Sequence, residues 1–146
     1  MGEENFAGTG IWKLLSYESQ VDDGSVTYPL GKDAVGQIMY DGKGNMSAQL
    51  ADTHRPSFAS GDVRRGTPEE INTAFKGYVA YFGTYDVDEN KRTVVHHLKS
   101  SLLPNWVGID LIRYYEFAGN RMTLRSAPML LGGKKIVITL VWERMS

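Results

Sequence analysis

Gly10-Ile-Trp-Lys-Leu-Leu-Ser-Tyr-Glu-Ser-Gln20 decides how the chain closes: a glycine stands two positions before a large aromatic, at the head of a segment with strand character. Trp12, Leu14 and Ser16 fall on one side, and Ile11, Leu15 and Tyr17 on the other. A Trp this early needs cover, and the stretch suited to give it is the far end of the chain, Leu140-Val-Trp-Glu-Arg144. If the two segments pair as first and last strands, the sheet closes on itself and Arg144 lies over the indole face of Trp12. Gly10, Trp12 and Arg144 are therefore the expected closure residues.

Outward from that stretch, Asp22-Asp-Gly-Ser25 supplies a turn, and Val26-Thr-Tyr28 is a short strand stopped by Pro29. Val35–Tyr40 and Asn45–Leu50 flank Asp41-Gly-Lys-Gly44, whose glycines tolerate the positive φ of a hairpin. The polar stretch from Ala51 to Gly66 is too long for an ordinary hairpin connection. Thr67-Pro-Glu-Glu70 then reads as a helix start, with Thr67 as N-cap, Pro68 at the first position and Glu70 returning a capping box. Ile71, Ala74, Phe75 and Tyr78 share one face, which predicts one short inserted helix over about 68–79. Strands resume at 81–87, 93–101, 109–117, 121–126 and 135–144, linked mostly by tight turns.

The count is about eight strands and one helix. The expected fold is all-β, an eight-stranded up-and-down antiparallel barrel, in which strand order along the chain is order around the sheet. Such a barrel has an interior just wide enough for one small ligand. Residues 1–146 read as one domain, with 1–8 as a flexible N-terminal tail.

Composition narrows the function. With 16 basic and 17 acidic residues and no long run of either sign, the chain has no electrostatic footprint for nucleic acid or an anionic membrane. The absence of cysteine removes disulfides, thiolate metal sites and Cys nucleophiles. The acidic start, Met1-Gly-Glu-Glu-Asn-Phe6, is not a signal peptide, and no apolar run approaches a membrane span, so a soluble cytoplasmic protein is expected, as monomer or homodimer.

Adjacent His96 and His97 must point to opposite faces of a strand. Lys99 prefers solvent and shares a side with His97, which places His96, Leu98 and Ser100 inside. The split histidines, with His54 in the polar loop, give no metal-ligand set, and no cofactor motif is present. Ile109, Leu111, Arg113, Tyr115 and Phe117 share a face that is apolar but for Arg113. That Arg must find an acceptor: a ligand oxygen, one of Asp86, Asp110 or Glu116, or solvent at the rim. Tyr40, Tyr81, Tyr85, Tyr115, Met46 and Trp106 line a small-molecule pocket or serve as plain core. Trp106, in Leu103-Pro-Asn-Trp-Val-Gly108, gates the mouth or plugs the end. Ser47 and Gln49 oppose Met46, Ala48 and Leu50, and either side can face the lumen. The long loop with its helix is the expected lid, its Arg55, Arg64 and Arg65 meeting an anionic ligand or solvent.

Several stretches in this order resemble the lipocalin superfamily, and more closely the bacterial and fungal lipocalin-like domain proteins. They are Gly10-Ile-Trp-Lys-Leu-Leu-Ser-Tyr17, Val26-Thr-Tyr-Pro-Leu-Gly31, Met46-Ser-Ala-Gln-Leu50, Arg55-Pro-Ser-Phe-Ala-Ser-Gly-Asp62, Gly66-Thr-Pro-Glu-Glu70, His96-His97, Pro104-Asn-Trp-Val-Gly108 and Val141-Trp-Glu-Arg144. The resemblance implies a calyx, with Gly-x-Trp and a late Arg sealing one end, and a setting in secondary metabolism.

Three functions are open at this stage. The first is binding of a small hydrophobic, oxygenated molecule in the calyx by Tyr40, Met46, Ser47, Gln49, Tyr81, Tyr85, His96, Leu98, Trp106, Arg113 and Tyr115. The second is an isomerase, cyclase or dehydratase acting on a polyketide-like compound, with His96 as acid-base, Tyr85 or Tyr115 as proton donor and Arg113 as oxyanion partner. The third is an interaction module, which has no need of His96 and Arg113 on adjacent inward stripes.

Overall fold

Apolar-polar alternation broken by turns produces the strands of this computed structural model, which describes residues 6–131 and 133–146. In chain order they are β1 (Gly10–Val21), β2 (Val26–Thr27), β3 (Val35–Tyr40), β4 (Asn45–Ala51), β5 (Tyr78–Asp88), β6 (Thr93–Ser101), β7 (Asp110–Ala118), β8 (Arg121–Ser126), β9 (Met129–Leu131) and β10 (Lys134–Arg144). Helix α1 (Pro68–Lys76) lies between β4 and β5. Eight strands close an antiparallel ring in the order β1-β3-β4-β5-β6-β7-β8-β10, with β10 returning to β1. The short β2 and β9 are additions to β1 and β10. Chain order is thus ring order, the up-and-down barrel expected.

The β1–β10 seam begins with Trp12 opposite Arg144. The Arg144 guanidinium carbon stands 4.3 Å from the centre of the Trp12 ring, and its Nη1 and Nη2 donate to the carbonyls of Thr9 and Ala7. Trp12 Nε1 donates to the Gly8 carbonyl at 2.8 Å. Gly10 has φ +124°, and a Cβ there would lie 2.5 Å from the Ser146 carbonyl oxygen, so the strand start must be glycine. Phe6 fills the space beneath this seal, edge-on to Tyr40 at 5.2 Å and against Tyr115 at 5.3 Å. The tail expected over 1–8 is corrected in part here: Phe6 and Gly8 are buried, and the Ala7 carbonyl is held by Arg144. Residues 1–5 lie outside the described residues.

Two irregularities in register decide what faces inward. In β1 the pairing shifts between Leu14 and Ser16, so Trp12 and Leu14 point in, and after the bulge Tyr17 and Ser19 do. Between β5 and β6 it shifts at Phe82/Gly83, which pair with Ser100 and Leu98. Ser100, expected inside with His96 and Leu98, is therefore on the exposed side. Gly83 marks the close approach: a Cβ there would sit 1.9 Å from the His97 carbonyl oxygen.

Helix α1 starts as predicted, with the reciprocal capping box of Thr67 and Glu70 formed. It ends at Lys76 rather than near 79, because Tyr78 and Val79 pair with Ala51 and Leu50 and the sheet claims the backbone. No helix residue is buried; Ile71 and Phe75 stay exposed. The loop before it folds onto the helix, with the Ala59 amide donating to Glu70 Oε2 and the Arg55 guanidinium 4.9 Å from the Tyr78 ring. Among the described residues no helix is long and apolar enough to cross a membrane.

Candidate functional site

β6 opens with Thr93, Val94 and Val95, β-branched residues that favour an extended backbone and carry His96 to the inner face. His96 is fully buried. Its Nε2 lies 2.6 Å from the hydroxyl of Tyr40 on β3, and its Nδ1 lies 3.0 Å from that of Tyr81 on β5. Burial, with the Arg113 and His97 charges adding to it, holds His96 well below the ordinary imidazole range, so the ring is neutral.

A neutral imidazole has one N–H and one bare nitrogen, so one tyrosine donates to it and the other accepts from it. The accepting tyrosine must place its own proton elsewhere. Tyr40 is 1% exposed and touches no other acceptor among the described residues, whereas Tyr81 lines a cavity. The arrangement that strands no proton in the core has Tyr40 donating to Nε2, Nδ1–H donating to Tyr81, and the Tyr81 proton turned to the cavity. Burial raises both hydroxyls above the ordinary phenol range, so they stay protonated.

The cavity is walled by Ile38, Ala48, Leu50, Leu124, Ile138 and Leu140, with Tyr17, Tyr81, His96, Arg113 and Trp142 as its polar members and Val79 and Trp106 completing it. Its room for water centres is ≈ 40 Å³, enough for about three waters at roughly 10–15 Å³ each. The lumen is thus largely filled by its own side chains, and a ring-sized molecule would fit there only if neighbouring side chains shifted. Trp106 lies in the Pro104–Trp106 3-10 turn between β6 and β7, at the barrel end opposite the Trp12–Arg144 seal, with its ring 6.2 Å from Tyr81. It is half-buried and lines the cavity from that open end.

Arg113 on β7 is 8% exposed. Its hydrogen bond is from Nη1 to its neighbour's carbonyl, Ile112 O, at 3.3 Å, and among the described residues no carboxylate pairs with it. The three acids considered for it are engaged elsewhere. Asp86 and Asp110 hold the two nitrogens of outward-facing His97 at 2.7 Å each, and Glu116 pairs with Arg125. Trp142 Nε1 is also buried, with no hydrogen-bond partner among the described residues.

The expected site residues divide. Tyr81, His96, Trp106 and Arg113 come together on the cavity, with Tyr40 behind His96. Tyr85 and Tyr115 do not reach it: both pack on Phe6 at the sealed end, where the Tyr85 hydroxyl accepts from the Gly42 amide. Met46 and Leu98 are buried core outside the cavity wall. Ser47 and Gln49 face outward, since the buried stripe of β4 is Met46, Ala48 and Leu50; Gln49 instead accepts from Tyr78 at the surface. Of the expected lid, the loop from Ala51 to Gly66 with its helix to about 79, residues 51–78 contribute nothing to the lining and only Val79, which belongs to β5, reaches it; Arg65 pairs with Asp62. Tyr17 was unforeseen, because strict alternation puts it outside and only the β1 bulge turns it in. Trp142 could be read only as part of the closing strand.

A sequence profile described as the lipocalin-like domain matches residues 9–145. The chain belongs to the lipocalin-like domain family. Among curated relatives of this lipocalin-like protein is one from Aspergillus oryzae named as a 4′-hydroxy-3′-methoxypropiophenone carrier protein. It is 28% identical over 107 residues, covering 68% of this chain and 96% of the relative. The lipocalin-like barrel and this relative, taken together, point to small-molecule binding.

Proposed function

We propose that this protein is a carrier for a small, oxygenated aromatic molecule, held in the calyx beside Tyr81, His96 and Arg113. One observation carries the reading: the apolar cavity is lined by two donors, the Tyr81 hydroxyl and the Arg113 guanidinium, for which the described residues supply too few acceptors. A ligand with oxygen acceptors on an apolar frame answers that demand. The name of the Aspergillus relative, an aryl ketone carrier, supports the same class. A chain without cysteine suits a reducing compartment such as the cytoplasm.

The second reading, an isomerase, cyclase or dehydratase on a natural-product intermediate, draws on the Tyr40–His96–Tyr81 chain, which can pass a proton to a ligand oxygen. The carrier reading is preferred because both His96 nitrogens are engaged and neither faces the cavity free.

Titration with acetophenone and with the neutral dye N-phenyl-1-naphthylamine tests the proposal. Binding of one ligand per chain is expected, weakened at least about tenfold by Ala48→Phe, which fills the cavity without touching a donor. Affinity unchanged in Ala48→Phe places the ligand elsewhere and overturns the reading.

A further inference from the structure

Resting on the carrier reading, we infer that the calyx takes its ligand as an oxyanion, the ionised form of a small aromatic phenol, enol or acid, with Arg113 as its counter-ion. Among the described residues no Asp or Glu lines the cavity, and the Arg113 guanidinium, a permanent cation, borders it. Among the described residues, the buried groups that feel the Arg113 charge from the surrounding strands are Tyr17 of β1, Tyr40 of β3, Tyr81 of β5 and His96 of β6. All four are neutral at ordinary pH: burial raises the three tyrosines and lowers the histidine. Among the described residues the cavity lining therefore carries one unbalanced positive charge.

An uncompensated buried charge is costly, and the cost falls when an opposite charge enters. A neutral ligand leaves that cost in place, whereas an oxyanion removes it and accepts from the guanidinium with the strength of a charge-assisted bond. The Tyr81 hydroxyl, whose oxygen accepts from His96, turns its proton to the cavity and so adds a second donor for the same oxygen. A ligand relying on its own hydroxyl as donor finds no carboxylate here.

The test reads the ionisation of 4-nitrophenol, whose phenolate absorbs visible light, with protein in excess between pH 5 and 9. The expected result is a bound pKa at least about one unit below that of the free phenol, equivalent to at least about tenfold tighter binding of phenolate than phenol. Arg113→Met should abolish the shift and Arg113→Lys keep part of it, while N-phenyl-1-naphthylamine still binds both variants as proof of an intact calyx. If the wild type binds both probes but leaves the phenol's ionisation unchanged or raised, the oxyanion inference is overturned and the carrier reading survives. A shift that persists in Arg113→Met also overturns it. If neither probe binds the wild type, the carrier reading itself fails.

Discussion

Trp12 and Arg144 face each other across the seam of the barrel, 132 positions apart in the chain, with the guanidinium carbon 4.3 Å from the centre of the indole ring. The same guanidinium holds the carbonyls of Ala7 and Thr9, so one side chain fastens the last strand, the first strand and the segment that carries Phe6. Arg144→Met should destabilise the fold by about 1–3 kcal/mol, from the lost ring contact and the two charged hydrogen bonds. Urea unfolding measures this, and dye affinity, set at the opposite end, should be nearly unchanged.

Tyr40→Phe leaves His96 Nε2 buried without its donor, which costs about 1–3 kcal/mol in unfolding free energy. It also frees the imidazole to reverse its tautomer, withdrawing the Tyr81 proton from the cavity. Acetophenone affinity should fall more than dye affinity; equal losses would count against the assigned direction of the relay.

The two adjacent histidines titrate in opposite senses. Burial depresses His96, so its contribution is present above the unfolded value near 6.5 and is lost as pH falls from there toward its folded value, by at most about 1.4 kcal/mol per pH unit. Hydrogen bonds to Asp110 and Asp86 raise His97, so its contribution is present below about 6.5 and lost as pH rises through its folded value. Urea unfolding at pH 5, 7 and 8.5 should show a maximum between these limbs. His97→Gln should flatten the alkaline limb and shrink the acid one only slightly, since burial is the larger cause of the His96 depression and the His97 charge a smaller one.

Gly83→Ala should cost about 2 kcal/mol or more, because its methyl would stand 1.9 Å from the His97 carbonyl oxygen and β6 must move to admit it. Thermal unfolding reads the loss. The same movement would disturb His96, one position away, and so lower ligand affinity too.

Trp106→Ala opens the ring-lined end of the cavity. Stopped-flow release of N-phenyl-1-naphthylamine should be several-fold faster, with unfolding free energy changed little, since Trp106 is half-buried on a short turn.

Much of the barrel was legible in the sequence because its signals are local or terminal: turn residues between alternating segments, a capping box, and complementary ends. His96 and Arg113 were legible as inward polar residues on apolar stripes. The bulge at Leu14/Ser16 was not, because one extra residue leaves no mark in a segment where both faces carry apolar side chains, and it moved Tyr17 from outside to inside. The bulge at Gly83 moved Ser100 the other way. Ser47 and Gln49 were placed by pairing with strands on both sides, information that a single strand does not hold. Tyr85 and Tyr115 do face inward, but Phe6, from a stretch with no periodic signal, occupies the space before them.

Because β10 hands back to β1, the gap between the end of the last strand and the start of the first lies between neighbours. A covalent bridge across that gap, with a new break cut into the Asp88–Arg92 turn, would leave every rung of the ladder in place. Circular permutants of this kind should keep the cup and its contents, which makes the point of entry of the chain a matter of genetics rather than of architecture.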